Sequence, residues 1–79
     1  MATIEEINRR ASLLSVEEIE TLTDDEIKGL AMERPGHPGQ YGFLLSPQAF
    51  RSTEHLAETL HALTKRLAKV GQSFRADRH

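Results

Sequence analysis

The sequence predicts a small all-α domain, a helical bundle of about four helices, and three observations support this. Three helix-start motifs of the form Ser/Thr-x-x-Glu lie within the first 26 residues. A leucine series at heptad spacing occupies the last third of the chain. All three prolines lie between these regions, in the stretch RPGHPGQYGFLLSP at residues 34–47. That stretch predicts an irregular Gly/Pro-rich central loop.

The three helix-start motifs are capping boxes. In such a motif the hydroxyl accepts a hydrogen bond from the amide three residues on, and the Glu side chain accepts one from the cap amide. The motifs begin at Thr3, Ser15 and Thr23. Apolar residues at helical spacing follow each of them, which predicts helices over 4–13, 16–22 and 24–33. Pro35-Gly36 should end the third helix, because the residue before a proline is disfavoured in the α region.

The longest predicted helix covers residues 53–70. Ser52 or Thr53 should cap it, Gly71 should end it, and a short turn at 47–51 should precede it. We define its heptad series as Leu56, Leu60, Leu63, Leu67 and Val70. The flanking Ala57 and Thr64 widen the apolar stripe, which favours a bundle core over a free two-stranded coiled coil. A core shared between two chains satisfies both interpretations, so these five residues are the predicted self-association surface.

The chain length and the charge distribution predict one domain with four segments. The segments are an acidic helical half at 1–34, the loop at 35–47, the long helix at 48–72 and a flexible basic tail at 73–79. Residues 1–34 carry nine acids and four bases, a net charge of −5, and residues 35–79 carry six bases and three acids, a net charge of +3. Such a charge dipole can attract the two halves to each other, within one chain or between two chains. It can also steer a charged partner.

Small size and the lack of cysteine limit how this chain can gain stability. A domain of 79 residues buries a modest fraction of its surface on folding, so it has little stability to spare. The sequence has no cysteine, which excludes disulfides and thiolate metal sites and fits the cytoplasm. Neither a signal peptide nor a membrane span is expected, since the sequence has no long apolar run. Self-association as a homodimer is the remaining way for this chain to gain stability.

The residues favour neither a metal site nor an enzyme. Glu58 and His61 have the E-x-x-H spacing of di-iron bundles, but they should lie opposite the leucines, facing water. The central loop has no lysine and no strand before it, so it does not match a phosphate-binding loop. The serines occupy predicted helix caps, and no pairing of a nucleophile with a base emerges. We therefore predict a non-enzymatic protein without a cofactor.

The central loop allows two interpretations, which the sequence leaves open. It is either a corner whose aromatic residues enter the core, or a stiff recognition loop that presents them to a partner. Phe43, Leu44 and Leu45 are expected to anchor the end of the loop in the core. The candidate partner contacts are Arg34, His37, Gln40 and Tyr41.

Together these features predict a small regulator or adaptor that binds another protein. By class analogy, an inhibitor or accessory protein of phage or plasmid type has this size and composition. The alternative is weak nucleic-acid binding through the basic C-terminal end, because phosphate contacts need several bases on one face. The residues for that alternative are Lys65, Arg66, Lys69 and Arg75.

Overall fold

The computed structural model describes residues 3–76, with side chains described through residue 71. Its helices are α1 (Ile4–Ser12), α2 (Val16–Thr21), α3 (Asp24–Leu30) and α4 (Thr53–Ala76). Between α3 and α4 lie two short strands, β1 (Met32–Glu33) and β2 (Tyr41–Gly42), and a 3-10 turn (Pro47–Ala49). The mainly helical class is confirmed, and the small sheet was not predicted. No helix among the described residues has the length and apolar character needed to cross a membrane.

The helix starts lie where the sequence predicted them. Ser15 and Thr23 both form complete capping boxes, whereas the Thr3 hydroxyl accepts the Glu6 amide at 3.2 Å. At Thr23 the reciprocal bonds with Glu26 measure 2.9 and 3.1 Å. The amide and the hydroxyl of Thr23 hold the pKa of the Glu26 carboxyl below its ordinary value of 4.5. These caps satisfy amides that have no partner within the helix itself.

The third helix ends earlier than predicted because residues after it enter a β-ladder. Helix α3 stops at Leu30, and β1 pairs antiparallel with β2, with Met32 opposite Gly42 and Glu33 opposite Tyr41. The predicted helix over 24–33 is therefore wrong at its last three residues. Part of the predicted irregular loop is an ordered hairpin.

The hairpin is closed by two β-turns in tandem that share His37. The His37 amide donates to Arg34 O at 3.0 Å, and the Gln40 amide donates to His37 O at 3.1 Å. In each turn proline is the second residue and glycine the third, with φ of 77° at Gly36 and 80° at Gly39. That arrangement is a type II turn, which requires a positive φ at its third residue. The three-residue glycine spacing thus reflects two consecutive turns.

Residues after the hairpin are held against α1 by a single buried side chain, Asn8. Its amide group donates to the carbonyls of Ile4 and Leu44, both at 2.9 Å. Its Oδ1 accepts the Ser46 amide at 2.7 Å. Phe43 and Leu45 pack, partly buried, against the core, as expected of them. Asn8 therefore provides the extended segment with the backbone hydrogen bonds that a neighbouring strand would otherwise provide.

The core lies between α4 and the three short helices. Helices α2 and α3 pack directly on α4, and α1 contacts both α4 and the 3-10 turn. The buried apolar side chains are Ile7, Ala11, Ile19, Ile27, Leu30, Phe50, Leu63 and Val70. Thr59, which is not a member of the heptad series, is also fully buried. The packed face of α4 is thus centred on Thr59, Leu63 and Val70, and not on the whole heptad series.

Two predictions about α4 are wrong. The helix does not end at Gly71 but continues to Ala76, so residues 73–76 of the predicted tail are helical. Gly71 lacks the positive φ that a helix-ending glycine adopts. Leu60, expected to point inward, is 39% exposed, and Ala57 and Thr64 are exposed as well. Residues 77–79 lie outside the described part of the chain.

Candidate protein-binding surface

An open apolar groove lies between the hairpin, the end of α3 and the C-terminal half of α4. We call it the hairpin groove; its volume is about 620 Å³. Its lining includes Lys28, Ala31, Gly39, Tyr41, Leu67 and Val70. Concave and mainly apolar surfaces with a few polar groups are typical of binding sites.

Tyr41 forms one wall of this groove and is the aromatic residue among its described lining residues. The residue is 59% exposed although its backbone is paired with Glu33 in the ladder. The hairpin is further closed by the Arg34 amide, which donates to Gln40 O at 2.7 Å. The Glu33 carboxylate accepts the Gly39 amide at 3.3 Å. An exposed aromatic ring is therefore carried by a backbone that is already ordered.

The other predicted partner contacts cluster at the tip of the same hairpin. Arg34, His37 and Gln40 are all exposed, and their backbone groups form the two tandem turns. The aliphatic part of Arg34 lies beside Gly42, in ordinary van der Waals range of any Cβ placed there. The structure thus brings all four candidates together on one hairpin, and Tyr41 is the one that lines the groove.

The predicted self-association residues do not form one surface. Leu63 and Val70 are 0% and 4% exposed, so both belong to the core of the single chain and offer almost no surface to a second copy. Leu56 and Leu67 are half-buried, and Leu60 is exposed. The heptad series therefore crosses from the core to the surface, because α2 and α3 cover only one side of it.

Arg66, one of the predicted nucleic-acid contacts, forms hydrogen bonds within the chain. Its guanidinium donates to the carbonyl oxygens of Ile19, Glu20 and Leu22 at the end of α2. It also lies 3.4 Å from the Asp24 carboxylate, and its side chain is only 16% exposed. These bonds occupy the group that a phosphate would need. Lys65 and Lys69 are exposed, and the Arg75 side chain lies outside the described part.

Sequence reasoning missed the roles of Asn8 and Arg66. A signal for Arg66 existed: α2 has no basic residue in its last turn, so its terminal carbonyls need a donor from elsewhere. The signal for Asn8 was weaker. It is a polar residue next to Ile7 on the apolar side of α1, where an apolar residue would be expected.

A second groove, of about 350 Å³, lies between the α1–α2 corner and the start of α4, and it is polar. Arg51, His55 and Glu58 line one side of it. The His55 ring packs edge-on against Phe50 at 5.3 Å, and its buried Nδ1 has no hydrogen-bond partner among the described residues. Glu58 and His61 are exposed, on the side where the sequence placed them. No group of three candidate metal ligands occurs in the described part of the chain.

Comparison of the chain with protein-family models, curated proteins and solved structures finds no match.

Proposed function

We propose that this chain is a small non-enzymatic regulator or adaptor of the cytoplasm that binds another protein through the hairpin groove. One observation carries the proposal: Tyr41 is 59% exposed, yet its backbone is fixed by the ladder. Aromatic residues dominate the binding energy of many protein interfaces because they bury much area with few rotatable bonds. A prearranged backbone lowers the entropy that binding must overcome.

The chemistry of the groove suggests what a partner would present. An apolar side chain would fit between Tyr41, Leu67 and Val70, which line the groove. Arg34 and His37 are exposed on the adjoining hairpin, and the Glu33 carboxylate is engaged by the Gly39 amide. An acidic segment beside the apolar anchor would therefore complement this side of the groove. A role as an inhibitor or accessory protein of phage or plasmid type follows from class analogy.

The test is capture from an extract of the native host by the immobilised chain, with nuclease treatment in a parallel sample. We expect a discrete protein whose capture survives nuclease treatment and falls about tenfold or more with Tyr41→Ala. The matched control is Leu13→Ala, because Leu13 is 77% exposed on the distant α1–α2 corner. Both variants should melt within a few degrees of the parent.

Three results would contradict the proposal. Capture that Tyr41→Ala leaves unchanged would remove the hairpin groove as the binding surface. Capture that disappears after nuclease treatment would favour the nucleic-acid alternative, for which the structure leaves Lys65 and Lys69 accessible. Loss of stability in Tyr41→Ala as large as in Phe43→Ala would show that the hairpin is a structural corner.

A further inference from the structure

The exposed surface of α4 is divided lengthwise into a charged strip and an uncharged strip. The charged strip contains Glu54, Glu58, His61, Lys65 and Lys69. The uncharged strip contains Ala57, Leu60, Thr64, Leu67, Ala68 and Gly71. All of the second set are exposed except Leu67, which is half-buried. A solvent-facing helix surface would normally carry charge on this side as well.

The spacing places the uncharged strip on one continuous side of the helix. Its members recur at intervals of three and four residues, the spacing of neighbours on a helix surface. From Ala57 to Gly71 the strip is about 21 Å long at 1.5 Å per residue. Leu60 is its most prominent apolar side chain, 39% exposed, and the small residues around it would allow a second helix to approach closely. We call this strip the uncharged face of α4.

The charges beside this face are ordered along the helix. Glu54 and Glu58 lie in its N-terminal half, and Lys65 and Lys69 lie further along. If two copies of α4 paired through this face in parallel, their charged strips would lie on opposite edges of the interface and would not meet. In an antiparallel pair, the acidic part of each helix lies along the basic part of the other, which is favourable.

We propose that the uncharged face of α4 binds the same face of a second copy, with the two helices antiparallel. The two-fold axis passes between Leu60 and Thr64, so that Leu60 of each chain packs near Thr64 of the partner subunit. A two-fold pairing of this kind uses one patch twice and closes on itself. It also buries the Leu60 side chain, which the single chain leaves exposed, and adds apolar contact to a small domain.

The uncharged face of α4 and the hairpin groove share Leu67 and Gly71, but Leu60 belongs only to the first and Tyr41 only to the second. The proposed axis lies about 12 Å along α4 from Val70 at 1.5 Å per residue, and Tyr41 lies at the Val70 end. Variants at Leu60 therefore test the homodimer, whereas variants at Tyr41 test the capture of another protein. Either proposal can fail while the other stands.

Sedimentation of the full chain from low to high micromolar concentration tests the dimer. We expect a concentration-dependent monomer–dimer equilibrium, and we expect Leu60→Glu to raise the dissociation constant by more than about tenfold. Leu13→Glu is the matched control, since it adds the same charge to a more exposed leucine, and it should leave the equilibrium unchanged. A chain that stays monomeric at high micromolar concentration overturns the proposal. Equal effects of the two variants overturn it as well.

Cross-linking through introduced cysteines tests the direction, because the chain has no cysteine of its own. Around the proposed axis, two copies of residue 64 are about 6 Å apart along the helices, and two copies of residue 71 about 27 Å apart. A short bis-maleimide should therefore link Thr64→Cys dimers but not Gly71→Cys dimers. A side chain at Gly71 meets no described atom within 4 Å. Efficient linking at both positions indicates parallel helices and overturns the antiparallel arrangement.

Discussion

Helices α1–α3 and the segment from β1 to the 3-10 turn are held in place by hydrogen bonds of very different reach. Each helix start is fixed by bonds between residues three apart, as at Ser15 with Glu18 and Thr23 with Glu26. The extended residues 44 and 46 are fixed by Asn8, across 36 and 38 residues of sequence. The first kind of bond forms as soon as the local helix forms, whereas the second requires the folded chain.

Long-range hydrogen bonds are not confined to the extended segment, because Arg66 also forms them with α2. Helix α2 begins at a local capping box, but its end is capped by Arg66, from 44 to 47 residues away. Helix starts in this molecule are thus local, and the end of α2 depends on tertiary structure. Helix α2 therefore needs α4 for hydrogen-bond donors as well as for an apolar surface to pack on.

The largest effect is expected from removing the long-range cap of α2. Arg66→Ala leaves the carbonyls of Ile19, Glu20 and Leu22 without their donor. We expect a loss of about 2–4 kcal/mol in the free energy of unfolding, measured by urea denaturation. Lys65→Ala, one residue away and exposed, should change it by no more than about 0.5 kcal/mol. Similar values for the two variants would show that α2 needs no remote cap.

The next effect concerns the Asn8 contact with the extended segment. Asn8→Ala leaves the Leu44 carbonyl and the Ser46 amide unpaired, which should cost about 2–3 kcal/mol. Hydrogen exchange gives the sharper measurement. The Ser46 amide should lose its protection against exchange. The amides of α2, which Asn8 does not contact, should lose only as much protection as the fall in global stability requires. Arg9→Ala, on the exposed side of α1, is the control. A Ser46 amide that remains protected would contradict the assigned role of Asn8.

A Gly→Ala substitution should stabilise the chain when made in α3 and destabilise it when made in the hairpin. Gly29 lies within α3 and has open space where a Cβ would be, so Gly29→Ala should stabilise the chain by about 0.5–1 kcal/mol. Gly36 also has open space, but its φ is 77°, so Gly36→Ala should destabilise it by about 1 kcal/mol. Thermal melting of both variants beside the parent measures the difference. A destabilising Gly29→Ala would mean that α3 tolerates no side chain there.

The smallest effect is the acid sensitivity of one capping box. The folded pKa of Glu26 is depressed below 4.5. Its contribution to stability is therefore present above that value and is lost as the pH falls through the folded pKa. Glu26→Gln should reduce the loss of stability on acidification from about pH 5 to pH 3. Thr23→Ala should reduce it less, because the Thr23 amide, the larger cause of the shift, remains. An unchanged acid profile in Glu26→Gln would contradict this.

Sequence reasoning succeeded where neighbouring residues decide the structure. Thr3, Ser15 and Thr23 each begin a helix at the predicted residue. The prediction of an irregular loop missed the two turns, although Pro-Gly repeated after three residues, at 35–36 and 38–39, carries that signal. For the candidate surface, the sequence selected four residues that the structure places on one hairpin.

The sequence by itself determined the helical class, the helix starts and the position of the Gly/Pro-rich central segment. It did so because capping and turn chemistry act over three or four residues. Tertiary structure decided which side of α4 is buried, where Arg66 and Asn8 direct their hydrogen bonds, and that Leu60 remains exposed. A heptad pattern shows only that one side of a helix is apolar. How much of that side becomes covered depends on the other helices, whose packing directions the pattern does not contain.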